Sequence, residues 1–75
     1  MDIIVPDFAR HLKGLRKSRN LKQEDLAEYL GCSVRQYQRL EYGEVNVPAL
    51  TLMALADYFG VTTDYLLGRS EEKRD

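Results

Sequence analysis

Residues 32–43, CSVRQYQRLEYG, concentrate side chains able to read a nucleic acid. Arg35, Gln36, Gln38 and Arg39 are of the types whose paired donors and acceptors match the edges of guanine and adenine in the DNA major groove. Of the other residues in the middle of the stretch, Val34, Tyr37 and Leu40 suit a core. At about 100° per residue along a helix, Arg35 and Arg39 fall one turn apart, opposite Tyr37 and Leu40. Gln36 and Gln38 lie on the flanks of that polar face. A merely solvated surface helix can carry the same residues, so readout also requires a geometry that docks the helix on DNA.

The neighbouring elements supply one. Ser33 and Gln36, three residues apart, form a capping box that starts the helix. The preceding helix, over about 23–30, turns Leu26, Ala27 and Leu30 inward, places Glu24 and Asp25 where the helix dipole favours carboxylates, and stops at Gly31. About three residues separate the two helices, and so short a turn makes them cross steeply in a helix-turn-helix. A first helix starts near Pro6, carries Phe8, Leu12 and Leu15 on one face, and ends at Asn20 in a left-handed conformation. Pro48 opens a fourth helix with Leu52, Leu55, Ala56 and Phe59 inward, and Gly60 closes it. VTTDYLLG is a short fifth helix capped by Thr62 or Thr63. The only strand-like segment is IIV at 3–5, and the tail 70–75 is polar and expected to fray. The expected fold is all-α: five short helices in one domain over 1–69.

Composition narrows the function. Seventy-five residues, 44% hydrophobic and 31% charged, hold one small core and no deep substrate cleft beside it, which disfavours an enzyme. A domain of this size gains from dimerisation. A single cysteine, Cys32, excludes an internal disulfide and a cysteine-rich zinc site; it reads as a partly buried filler. No nucleophile–base set, glycine-rich phosphate loop or metal-ligand spacing is present, so no cofactor is expected. Without a signal-peptide core or membrane span, the expected setting is the cytoplasm. The net charge of −1 hides an asymmetry: residues 1–40 carry eight Lys/Arg against five acids, and residues 41–75 three against seven. That split directs a basic end at a polyanion.

From about residue 8 to 68 the chain resembles the Cro/XRE-type helix-turn-helix domain of phage repressors and bacterial regulators, a lambda-repressor-like bundle. The resemblance is carried by LKQEDLAEYLGCSVRQYQRLEYG and PALTLMALADYFGVTTDYLLG, in that order and spacing. It implies that the second and third helices form the DNA-binding motif. Val34, Arg35 and Arg39 match positions that face base edges. Gln23 matches a glutamine that contacts a phosphate and the recognition helix, while Ser33 and Gln36 match positions near the DNA backbone. Arg16 and Glu41 match a buried ion pair tying the first helix to the end of the third; Glu41 lies near the core face, where a charge needs a partner.

Three positions depart from the family pattern. Lys22 stands where an N-cap Thr, Ser or Asn is usual, and is a poor cap that can still contact a phosphate. The loop after the third helix lacks the usual cations and adds Glu44, leaving Asn46 and backbone amides to meet the DNA backbone; Gln38 joins Lys22, Gln23, Ser33, Gln36 and Asn46 as an expected backbone contact. Val34 replaces a polar reader and offers apolar contact to a thymine methyl.

Outside this set, His11 is expected to be solvent-exposed. Arg10, Lys13, Lys17 and Arg19 are solvated or line a phosphate-facing flank, and Tyr58, Tyr65 and Leu66 are core or dimer contacts. The expected function is that of a transcriptional regulator, a repressor, binding a palindromic operator on double-stranded DNA as a homodimer, at least on DNA. The competing reading is an antitoxin-like or adaptor module whose main ligand is another protein, with DNA binding secondary.

Overall fold

Five helices follow one another in the computed structural model, which describes residues 6–71: α1 (Pro6–Ser18), α2 (Gln23–Leu30), α3 (Val34–Glu41), α4 (Ala49–Phe59) and α5 (Thr63–Leu66). The segment IIV at 3–5 and tail residues 72–75 lie outside the described residues. None of these helices is long enough to stand alone in water. Each contributes to one shared core: Phe8, Leu12 and Leu15 from α1, Leu26 and Ala27 from α2, Tyr37 and Leu40 from α3, Leu55, Ala56 and Phe59 from α4, and Leu66 from α5. A fully buried leucine or aromatic contributes about 1.5–3 kcal/mol relative to exposure. Because that core draws on all five helices, none is dispensable. Leu30 and Leu52, expected inward, are half-buried at its margin.

The ends of the helices share one backbone solution. A left-handed residue comes after each: Asn20, Gly31, Gly43, Gly60 and Gly68. The next residue then donates its N–H back to a carbonyl five positions earlier: Leu21 to Arg16, Cys32 to Ala27, Glu44 to Arg39, Val61 to Ala56 and Arg69 to Asp64. This Schellman closure satisfies carbonyls that a helix end otherwise leaves open. Between α2 and α3 it compresses the connection to Gly31, Cys32 and Ser33, the short turn that a helix-turn-helix uses.

The helix starts are capped less uniformly. Ser33 Oγ accepts from Gln36 N–H at 3.0 Å while Gln36 Oε1 accepts from Ser33 N–H at 2.9 Å, a complete capping box. Thr62 Oγ1 accepts from Tyr65 N–H at 2.9 Å. Lys22, with no acceptor on its side chain, is served from the other direction: its N–H donates to Asp25 Oδ2 at 2.8 Å. Pro48 is the N-cap of α4 rather than its first helical residue.

The first and last helices lock together. His11 is not solvent-exposed as expected: its ring stacks on Tyr65 at 4.8 Å between centroids, and its Nδ1 lies 2.8 Å from the Tyr65 carbonyl. Near the end of α5 a Cβ on Gly68 would stand 2.6 Å from the Cβ of Asp7, so the two chain segments approach as closely as glycine permits. No described helix is long and apolar enough to cross a membrane.

Candidate nucleic-acid interface

The site is built outward from a buried carboxylate. Glu41, at the last position of α3, has no exposed side-chain surface. Its Oε2 accepts from Arg16 Nε at 2.8 Å and from the Tyr37 hydroxyl at 2.6 Å. Its Oε1 accepts from Arg16 Nη2 at 2.8 Å and from Gln23 Nε2 at 3.2 Å. Arg16 completes its fork through Nη1, which donates to the Leu21 carbonyl at 2.8 Å. A buried charge is tolerated only when paired and hydrogen-bonded in this way.

The protonation states derive from those contacts. Burial pushes the Glu41 carboxyl up, but hydrogen bonds from Arg16, Tyr37 and Gln23 outweigh it and hold the group below the ordinary glutamate value. Burial, and then the bond to that carboxylate, pushes the Tyr37 phenol up, so it stays protonated and donating. The carboxylate holds the Arg16 guanidinium above its ordinary value.

This cluster fixes α3 against α1 and α2 together. Arg16 comes from α1, Gln23 from the first position of α2, and Tyr37 and Glu41 from α3. Gln23 extends the chain of bonds: its Oε1 accepts from Gln38 Nε2 at 3.0 Å, and its Nε2 also lies 3.4 Å from the Tyr42 hydroxyl. Gln38, expected at the DNA backbone, therefore spends a donor on the helix pair itself.

Above the cluster, α3 turns a polar face outward. Arg35 and Arg39 are exposed one turn apart, with Gln36 beside them and Val34 exposed at the start of the helix. The cap of α3 uses Gln36 Oε1 and Ser33 Oγ, so both residues sit at the helix start with their remaining polar capacity outward. Asn46 is exposed in the loop after α3 and shares the border of a cleft of about 320 Å³ with Gln36 and Arg39. A second, open cleft of about 670 Å³ runs between α1, the start of α2 and α3; Lys13, Lys17, Lys22, Gln23, Val34 and Gln38 line it. Three lysines, Lys13 and Lys17 from α1 and Lys22 at the N-cap of α2, thus flank one side of the arginine face, with the Arg16–Glu41 pair lining the same cleft.

The remaining cations in and just after α1 are engaged elsewhere. Arg10 pairs with Asp7 at 2.8 Å. Arg19 is neither simply solvated nor part of that flank: Nη2 donates to the Phe59 carbonyl at 2.6 Å, Nη1 lies 3.4 Å from the Tyr58 carbonyl, and the guanidinium rests 5.1 Å from the Phe59 ring centroid. It caps the C-terminal end of α4. Contacts that sequence reasoning missed include the Tyr37 hydroxyl on Glu41, the Tyr42 hydroxyl near Gln23, and the approach of Glu44 Oε1 to Arg39 Nε at 3.9 Å. The first carried a signal, since residues four apart face each other on a helix.

Comparison with known proteins places this geometry. Residues 12–66 match the family model described as helix-turn-helix. A prophage-derived HTH-type transcriptional regulator of Bacillus subtilis, YonR, is 35% identical over 60 residues, covering 80% of this chain and 56% of the relative. Another HTH-type regulator of that organism, YqaE, is 36% identical over 67 residues, covering 88% of this chain and 58% of the relative. A crystal structure of a transcriptional regulator from Listeria innocua superposes with a TM-score of 0.80 at 34% identity, over 87% of this chain and 61% of that one. The chain spans a little over half the length of the curated relatives it matches.

Proposed function

The chain belongs to the XRE/Cro-like helix-turn-helix family of transcriptional regulators, and from that premise we propose that it reads double-stranded DNA through α3. One observation carries the reading: Arg35 and Arg39 stand exposed on one face of a helix whose opposite face is buried and bonded to both neighbouring helices. A reading helix must be held rigidly to convert base-edge hydrogen bonds into preference, and that bonding supplies the hold. In this proposal Arg35 and Arg39 address guanine edges and Val34 a thymine methyl. Lys22, Gln23, Ser33, Gln36, Gln38 and Asn46 contact the DNA backbone and set the register. Lys13 and Lys17, on the same cleft as Lys22, extend the phosphate track.

Two copies then occupy successive major grooves about 34 Å apart on a palindromic operator, and the protein acts as a repressor. Leu50 and Met53, 79% and 54% exposed one turn apart on α4, support association with a second copy, since they lie outside both the core and the arginine face.

The test is an anisotropy titration of the chain against DNA upstream of its own gene and against random duplex, at several salt concentrations. Tight binding with a steep salt slope and a wide margin over random DNA is expected. Weak binding at low salt with no margin would overturn the proposal and favour the antitoxin-like or adaptor reading.

A further inference from the structure

The closure of α3 differs from those of α2 and α4 at the residue just past the left-handed glycine. After α2 and α4 that residue is apolar, Cys32 and Val61, and each packs at the margin of the core whose members include Ala27 and Ala56. An apolar contact between those two positions commonly accompanies the motif. After α3 the same two positions hold Glu44 and Arg39. Glu44 N–H donates to the Arg39 carbonyl at 3.0 Å, which pins the backbone of Glu44 to the last turn of the helix. Its carboxylate then stands 3.9 Å from Arg39 Nε, with both side chains more than half exposed. The chain therefore puts an ion pair on the arginine face at the two positions where α2 and α4 put apolar residues at the core margin; the closure of α5, with Arg69 and Asp64, is charged as well but lies away from α3.

We propose that Glu44 is a positioning and specificity-determining residue of the DNA interface, an inference that rests on the function proposed above. The carboxylate meets the guanidinium at Nε, its rear nitrogen. Both Nη groups stay available, and they form the end-on fork that fits O6 and N7 of guanine. Glu44 thus supports Arg39 from behind while leaving its reading end free. In water so exposed a pair is weak; at an interface that excludes water the same contact strengthens. The carboxylate also works against wrong sites. A phosphate competing for Arg39 must draw it away from Glu44 and approach a negative charge, whereas a guanine edge need do neither. Such a residue lowers affinity for DNA in general more than affinity for the cognate sequence, which is how discrimination is increased by repulsion.

The experiment uses the full chain and its E44Q, R39A and R39A/E44Q variants. Duplexes are first enriched from a random library with the wild-type chain, and the base pair whose preference disappears in R39A is assigned to Arg39. Affinities are then measured for the enriched duplex, for that duplex with this base pair changed, and for random duplex. E44Q is expected to bind random duplex several-fold more tightly, and to lose discrimination at the Arg39 base pair on the order of tenfold, part of what a bidentate contact provides. In the R39A background the E44Q change should leave base preference untouched. A uniform tightening on every duplex, with preference at the Arg39 base pair unchanged, overturns the inference and reduces Glu44 to a surface charge. If the wild-type chain enriches no sequence, the proposed function itself fails, and this inference with it.

Discussion

Tyr37 donates its hydroxyl hydrogen to Glu41 Oε2 at 2.6 Å across one turn of α3, and the same oxygen accepts from Arg16 Nε at 2.8 Å. A residue that periodicity assigns to the core thus also holds the buried carboxylate that joins three helices. The partners are not equivalent. Tyr37→Phe keeps the ring and removes one hydrogen bond to a charged group, a loss of about 1.5–3 kcal/mol. Arg16→Met leaves a buried carboxylate without its counter-charge, at a cost of about 3–5 kcal/mol. Urea titrations should show the arginine variant as the less stable of the two. Equal midpoints would mean that the guanidinium does not carry the larger share.

Acid should weaken the fold through Glu41. Its folded carboxyl lies below the ordinary value because the hydrogen bonds from Arg16, Tyr37 and Gln23 outweigh burial. A group with a depressed folded value contributes stability that is fully present above its unfolded value, about 4.3 for glutamate, and that is lost as pH falls through the folded value. Asp7, also lowered, by its hydrogen bond from Arg10, titrates in the same acid range. Glu41→Gln isolates the first contribution: the variant starts less stable, and its unfolding free energy should fall less between neutral pH and acid. Parallel pH profiles for variant and wild type would refute the assignment.

Two glycines predict opposite outcomes. Gly14 lies exposed within α1, and a Cβ added there would meet nothing within 4 Å, so Gly14→Ala should stabilise the protein by roughly 0.5–1 kcal/mol. Gly68 combines a φ of 78° with the 2.6 Å approach to Asp7. Gly68→Ala meets both the left-handed penalty, about 1–2 kcal/mol, and the Asp7 side chain. Thermal unfolding should move up for the first variant and down for the second; a neutral Gly68→Ala would show that the α1–α5 contact yields freely.

The lysine flank predicts a response unlike that of the arginines. Lys13→Ala, Lys17→Ala and Lys22→Ala should each weaken binding about equally on all sequences and reduce the salt slope by about 1. Arg35→Ala should cost roughly 1–3 kcal/mol on the preferred sequence and relax choice at its base pair. A lysine variant that changed base preference, or an Arg35 variant that did not, would reverse the division between positioning and reading.

What the chain discloses before folding is its local grammar. Phe8, Leu12 and Leu15 mark the buried face of α1 by spacing alone, and Ser33 with Gln36 marks the start of α3, because both signals lie within one or two helical turns. The missed contacts span the fold or depend on rotamers. His11 finds Tyr65 fifty-four positions away, and Arg19 finds the end of α4 about forty away, distances over which spacing carries no information. Lys22 reads as a failed cap when only its side chain is considered, yet its N–H makes the reverse bond to Asp25. Glu44 reads as an acidic departure in a loop that is usually basic in the family; its meeting with Arg39 depends on the backbone closure after α3.

The contact between Gly68 and Asp7 also brings the beginning and the end of the folded path together. Segments that precede Asp7 and follow Gly68 therefore leave the bundle from neighbouring points. The path is nearly a closed loop, so a short tether between those points, with new ends opened at Gly60 in the turn between α4 and α5, should give a circularly permuted chain that still folds.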